Sequence, residues 1–312
     1  MKHTHLFGSM LLVLGVACST SPHKTEVREA KDFAAEHDRL QNQLVQIASA
    51  ARGRVGVSAI VIETNETFSL NSQDHHPMQS VYKLPICVEI FHQVDSGKVR
   101  LEQKIRVTKN DFISPNAYSP IRDRYPNGVD LTIGDLIRFA IVQSDGTASD
   151  VLMRLAGGAA TIQNYLDQTS IKDMTVLNTE KELAQDWQIQ YRNWATPDAA
   201  VALLRAIHER RGLSESSQQL LLKYMVDSIP GQKRLKGLLP PGTTVAHKTG
   251  TSGTRDGITA ATNDIGIVTL PNGKHLAIAV FVSDSPADES TREAVIAKMA
   301  RAIWDFVTST SK

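Results

Sequence analysis

Ser80-Val81-Tyr82-Lys83 sets a hydroxyl and an amine three residues apart, the pairing from which an activated serine nucleophile can be built. The same spacing recurs at Ser21…Lys24 and Ser309…Lys312, in a polar stretch near the start and in the C-terminal tail, so spacing alone selects nothing. Only Ser80 opens an apolar run. Leu84, Cys87, Val88, Phe91 and Val94 recur with helical period behind it. On such a helix Ser80 and Lys83 share one face. The helix start also supplies unpaired backbone N–H groups and a positive dipole end, suited to a developing oxyanion.

Two further clusters and a loop carry the remaining polar chemistry. Ser144-Asp145-Gly146 falls between two helical patterns, 132–143 and 147–157. Lys248-Thr249-Gly250 ends a strand-like run that starts at Thr244, and no other Lys-[Ser/Thr]-Gly occurs in the chain. Alternation along that strand puts Lys248 and His247 on opposite faces, one toward a site and one packed. Gly250 leaves room for a ligand against an edge strand. Residues 178–197 show no clear period and read as a long loop with two acidic candidates, Glu180 and Glu182. Patterning does not choose between them.

The elements that must hold these residues follow from periodicity. A helix is expected over roughly 29–50, with Leu40, Leu44 and Ile47 on one face. Val55, Val57, Ala59 and Val61 alternate as a strand. Thr132 to Asp135 reads as a helix cap, and Thr196-Pro197-Asp198 opens a helix that stops by Gly212. Strands return at 244–248, 259–270 and 275–282, the last two joined by a Pro271-Asn272-Gly273 turn, before a closing helix with Val295, Met299, Ile303 and Phe306. The expected fold is α/β, an antiparallel sheet flanked by N- and C-terminal helices, with an all-helical domain inserted. The boundaries are 29–75 plus 228–312 for the α/β domain and 76–227 for the helical one.

Taken in order, Ser80-x-x-Lys83, Ser144-Asp145-Gly146 and Lys248-Thr249-Gly250 resemble the signature of class A serine β-lactamases, in the penicillin-recognising enzyme superfamily. The resemblance runs from about residue 36 to 309. The stretches Lys248–Gly253 and Thr259–Asp264 are most similar to the extended-spectrum branch. It implies hydrolysis of the amide bond of penicillins and cephalosporins through a serine acyl-enzyme, giving antibiotic resistance, by a monomer without cofactor or metal. By resemblance Ser80 is the nucleophile, Lys83 takes part in its activation, Ser144 relays a proton to the leaving nitrogen, and Lys248 holds that network. Glu180 is placed as the deacylating base, with Glu182 as fallback. Thr249, Gly250, Thr251, Ser252, Gly146, Arg234 and Tyr118 are implied around the substrate, and the backbone N–H groups of Ser80 and Thr251 as the oxyanion hole.

Two positions depart from the family pattern. Gly146 stands where asparagine is usual, removing a hydrogen bond to substrate with a net value of about 0.5–1.5 kcal/mol. Ala184 replaces a polar residue, often asparagine, that helps fix the deacylating water. Two alternatives stay open: a D,D-peptidase or penicillin-binding protein, which shares the motifs and against which Glu180 on its long loop argues, and a β-lactam sensor acylated without turnover, which the two departures keep open.

Composition narrows the rest. The chain has 312 residues, 41% hydrophobic and 21% charged, with a formal charge of +1 and no Lys/Arg-rich block, which excludes a phosphate-neutralising nucleic-acid binder. A basic start and a short apolar run over Leu6–Ala17 read as a signal peptide, residues 1–17, with residues 18–28 a tether. Gly15-Val16-Ala17-Cys18 resembles a lipoprotein cleavage site, making Cys18 a candidate lipid anchor for an exported, periplasmic protein. The second cysteine, Cys87, reads as a buried helical thiol. The histidines lack metal-ligand spacing; His75-His76 is adjacent rather than i,i+4.

Overall fold

The computed structural model describes residues 22–309, with side chains over 35–309. The leader at 1–17 and Cys18 lie outside the described residues. Helix α1 (Pro22–Ser49) leads into the hairpin β1 (Arg54–Val61) and β2 (Glu66–Leu70). After β3 (His76–Pro77) come α2 (Lys83–Asp95), β4 (Lys104–Val107), α3 (Pro120–Arg124), β5 (Val129–Thr132), α4 (Ile133–Val142), α5 (Gly146–Ala156) and α6 (Ala159–Gln168). Then β6 (Met174–Thr175), α7 (Glu180–Leu183) and β7 (Trp194–Ala195) precede α8 (Pro197–His208) and α9 (Glu215–Val226). The chain closes with β8 (Val245–Thr251), β9 (Thr254–Arg255), β10 (Ile258–Thr269), β11 (His275–Ser285) and α10 (Glu289–Ser309). The chain divides after Arg39 into two units. In the first, α1 starts at Pro22, so residues 22–28 are helical where the sequence reads as a tether. Proline suits a first turn, and Glu26, Arg28, Glu29 and Ala30 are good helix formers.

From Leu40 onward the structure is organised by a mixed-length antiparallel sheet, β2-β1-β11-β10-β8, with β9 paired to β10. Both faces are buried, and strand alternation divides the side chains between them. Val55, Val57, Ala59, Val61, Ile278 and Val280 point to a core shared with Leu40 and Leu44 of α1 and Val295, Met299 and Ile303 of α10. Ile60, Ala277, Ala279 and Phe281 point the other way, to a core shared with α2, α4, α5 and α8. The central helix of that second core is α2, buried over Lys83–Phe91, which accounts for its near-continuous apolar sequence. A leucine-to-alanine change there would cost about 2–5 kcal/mol.

The expected caps are present. Thr132 Oγ1 accepts the Asp135 N–H at 3.0 Å while the Asp135 carboxylate accepts the Thr132 N–H at 3.1 Å. Thr196 Oγ1 accepts the Ala199 N–H at 3.1 Å, with Pro197 in the first helical turn. The β10–β11 turn places Gly273 at φ 81°, where a Cβ is disfavoured.

Candidate active site

Ser80 lies in a 3₁₀ turn, Gln79–Tyr82, immediately before α2 rather than in the α-helix itself. Three residues per turn stack Ser80 and Lys83 along one edge. Gln79 enters the turn at φ 47°, a strained value for a residue with a Cβ, and its amide donates to Gln190 Oε1 at 2.6 Å. The Lys83 ammonium, 2% exposed, donates to the Ser144 carbonyl at 2.7 Å and lies 2.9 Å from Glu180 Oε1. A buried cation of this kind is tolerated because the carboxylate and the carbonyl replace its lost water.

Ser144 is the second strained residue, at φ 57°. Its hydroxyl accepts a hydrogen bond from Lys248 Nζ at 2.9 Å, and the same ammonium donates to the Thr249 carbonyl at 3.0 Å. Lys248 is fully buried, and burial, reinforced by the positive charge of Lys83, pushes its pKa down to about 7. The turn that presents Ser144 is fixed by its neighbour: the buried Asp145 carboxylate accepts the N–H groups of Ile121 at 2.7 Å and Ala148 at 2.8 Å. On the opposite face of β8, His247 packs against Asp264 at 2.9 Å, with both side chains fully buried. Strand alternation therefore separates the two basic residues as the sequence indicates.

Geometry also separates the two glutamates. Glu180 reaches Lys83, whereas Glu182 turns back to close a capping box, accepting the Thr179 N–H at 2.8 Å while Thr179 Oγ1 accepts its own N–H at 3.3 Å. A residue that the motifs do not mark holds this loop in place. Asp150 of α5 accepts the Glu180 N–H at 2.7 Å and the Lys181 N–H at 3.1 Å, satisfying two of the free donors at the start of α7. Burial, partly opposed by the Glu180 N–H bond, raises the Asp150 pKa to about 6. Its sequence signal is position: Asp150 follows Gly146 by one helical turn, on the same face.

A cleft of about 770 Å³ is lined by Ser80, Lys83, Ser144, Glu180, Thr249 and Thr251 together. Tyr118, 64% exposed, and Ser252 stand on its wall, and Ala184 opens onto it from the end of α7. Three other expected residues are placed differently. A Cβ at Gly250 would sit 2.2 Å from the Met78 carbonyl and 3.2 Å from Gln79 Cβ, so this glycine admits the backbone just before Ser80, not a ligand. Arg234 is buried behind β8, donating to the carbonyls of Gly250 and Asn263 and to Thr251 Oγ1 at 2.8 Å, and paired with Glu293 at 3.1 Å. It meets the cleft only through Thr251. Gly146 is buried too, its N–H donating to the Tyr118 carbonyl at 3.2 Å. A Cβ there would come within 2.5 Å of Ile113 Cδ1 and 3.0 Å of Glu180 Cγ. The space of the missing asparagine is thus occupied by Ile113 and the Glu180 side chain.

Residues 39–307 match the β-lactamase enzyme family. The chain is 38% identical to β-lactamase VEB-1 of Pseudomonas aeruginosa over 274 residues, 87% of this chain and 91% of that protein. This chain belongs to the class A serine β-lactamases. It is also 39% identical to the extended-spectrum β-lactamase PER-1 of Pseudomonas aeruginosa, over 88% of this chain and 89% of the relative. The crystal structure of a β-lactamase from Chitinophaga pinensis superposes with a TM-score of 0.84 at 45% identity, covering 86% of this chain and 99% of that one. These likenesses put this β-lactamase near the extended-spectrum branch. Among its described residues Cys87 is a free, buried thiol whose pKa burial pushes up to about 12.

Proposed function

We propose that this protein hydrolyses the β-lactam amide bond of penicillins and cephalosporins through an acyl-enzyme on Ser80, giving antibiotic resistance. The observation that carries the reading is the 2.9 Å contact of Glu180 with Lys83, in the cleft that also holds Ser80 and Ser144. Ser80 Oγ attacks the lactam carbonyl, its proton passing to the Lys83–Glu180 pair. The tetrahedral oxyanion is met by the backbone N–H groups of Ser80 and Thr251, worth about 3 kcal/mol per donor. The C–N bond then breaks, and Ser144, hydrogen-bonded to Lys248, delivers a proton to the departing nitrogen and recovers one from the Lys83–Glu180 pair, which leaves Glu180 ionised. In the second half Glu180 takes a proton from water, which attacks the ester, and passes it to Ser80 Oγ as the ester bond breaks. General-base help of this kind supplies about 10²–10⁴-fold. Lys248 and Thr249 receive the substrate carboxylate, with Arg234 acting one layer back by orienting Thr251. Tyr118 and Ser252 border the acyl side chain.

A positioned carboxylate beside the nucleophile's lysine favours hydrolysis over the peptidase and sensor readings, which need no such base. The protein is further read as an exported, periplasmic monomer, with Cys18 as candidate lipid anchor and residues 76–227 as a domain inserted in an α/β one; that stretch is mainly helical but not all-helical, since it also holds the short strands β3 to β7. No helix among the described residues is long and apolar enough to cross a membrane. Steady-state hydrolysis of a chromogenic cephalosporin tests the reading. Sustained turnover that Ser80→Ala abolishes is expected; a single stoichiometric burst in the unmodified protein would overturn it.

A further inference from the structure

Away from the cleft, three residues distant in sequence meet at one corner of the sheet. Glu63 follows β1, His275 begins β11, and His208 ends α8. Glu63 Oε1 lies 2.7 Å from His275 Nδ1 and 3.9 Å from His208 Nε2. One ligand atom from each residue falls within 4.8 Å of the others, and none of the three lines the catalytic cleft. We propose that Glu63, His208 and His275 form a binding site for a divalent transition-metal ion of the zinc class.

The chemistry of the set fits such an ion. Two imidazoles and one carboxylate are borderline ligands suited to zinc, at about 2.0–2.2 Å each. A tetrahedral ion spaces its ligand atoms by about 3.4 Å, so the close His275–Glu63 pair must open and the His208 contact must shorten. Side-chain rotation is the movement that the proposal requires of them. The carboxylate is already aimed: Glu63 Oε2 accepts the His275 backbone N–H at 2.9 Å, which leaves Oε1 facing the two rings. The ring centroids of His208 and His275 stand 4.4 Å apart, tilted at 48°, and one ring nitrogen of each lies within 4.8 Å of the other. With side-chain exposures of 25% for His208, 31% for His275 and 35% for Glu63, the corner is open to an entering ion and to a water as fourth ligand. Three protein ligands and an open position are the pattern of an accessible site rather than a sealed structural one. An ion here would tie the end of α8 to the end of β1 and the start of β11, two neighbouring inner strands.

The site is independent of the hydrolytic reading, and its test is too. Calorimetric titration of the chelator-treated protein with zinc chloride should show one site per chain, with a Tm that rises as zinc passes Kd. The double substitution His208→Ala/His275→Ala should weaken that binding at least about 100-fold, while His92→Ala, outside the cluster, leaves it intact. A zinc-soaked crystal should carry its anomalous peak between the three side chains, which keeps the test decisive if the double variant folds poorly. Unchanged binding in the double variant, no binding up to about 1 mM zinc, or a peak elsewhere would overturn the proposal. Cephalosporin turnover should be the same in all these variants.

Discussion

Lys248 and Glu180 serve one cleft from two different kinds of structure, Glu180 on its wall and Lys248 buried one layer behind Ser144. Lys248 sits in the seven-residue strand β8, laddered to β10 from Val245 to Thr251, its side chain sealed beneath Ser144. Glu180 begins a four-residue helix, α7, held to the body of the protein by side-chain contacts: the two N–H bonds to Asp150, the Glu180 contact with Lys83, the Lys181 ammonium on the Asn110 carbonyl, Leu183 against the core, and the Asn178–Asn193 bonds just before it. On the strand side the ligand-facing groups are positioned by cooperative sheet structure. On the loop side separate side-chain contacts, with Asp150 binding two backbone N–H groups, replace that support. With the roles proposed for Lys248 and Glu180, the acylating half of the site is held by a cooperative ladder and the deacylating half by individual contacts that single substitutions can remove.

Four substitutions or conditions can break or sharpen this contrast. The largest effect is expected from Lys248→Ala, which strips the cation from Ser144 and should lower kcat/KM by about 10²–10³-fold through acylation, measured by stopped-flow. Asp150→Ala releases the start of α7 and should slow deacylation by about 10- to 100-fold while leaving the acylation rate near its original value. Equal loss in both steps would erase the distinction between the two walls. Gly146→Asn comes next. Sequence comparison with the family suggests that asparagine would restore a substrate contact, but Ile113 and Glu180 fill its space. Overpacking there should cost about 1–3 kcal/mol of stability and slow deacylation, seen as a lower Tm and a longer-lived acyl-enzyme. Pairing it with Ile113→Ala should recover part of the loss.

The smallest effect is a pH term from Asp150. Its pKa is about 6 in the folded protein against 3.8 for an ordinary aspartate. Between those values the folded state holds the proton that the unfolded chain has released, so this group's contribution to stability falls as pH rises from about 4 to about 6. Thermal melts should show the original protein losing stability relative to Asp150→Asn across that window.

Much of this arrangement is legible in the sequence, for reasons that also mark where reading fails. Apolar alternation in β1 and helical period in α2 report burial directly, because each side chain's environment repeats with the backbone. The caps at Thr132 and Thr196 are local, within three residues. Gly250 and Arg234 are harder. Each sits beside the site in sequence or space, yet what each faces is set by segments more than a dozen residues away, Met78–Gln79 in one case and Glu293 in the other. Glu180 and Glu182 differ only in which turns inward, a consequence of Thr179 capping α7 through Glu182. The Glu63, His208 and His275 corner leaves no local pattern at all, since sheet pairing and the end of α8 bring it together.

The most direct test of the two-wall account is intact-mass analysis of the protein during turnover of a cephalosporin, beside Glu180→Ala. The account predicts that Glu180→Ala acylates on Ser80 and stays acylated, with deacylation slowed by about 10²–10⁴-fold, while the unmodified protein shows little adduct. A Glu180→Ala protein that either fails to acylate or clears its adduct at the original rate would contradict it.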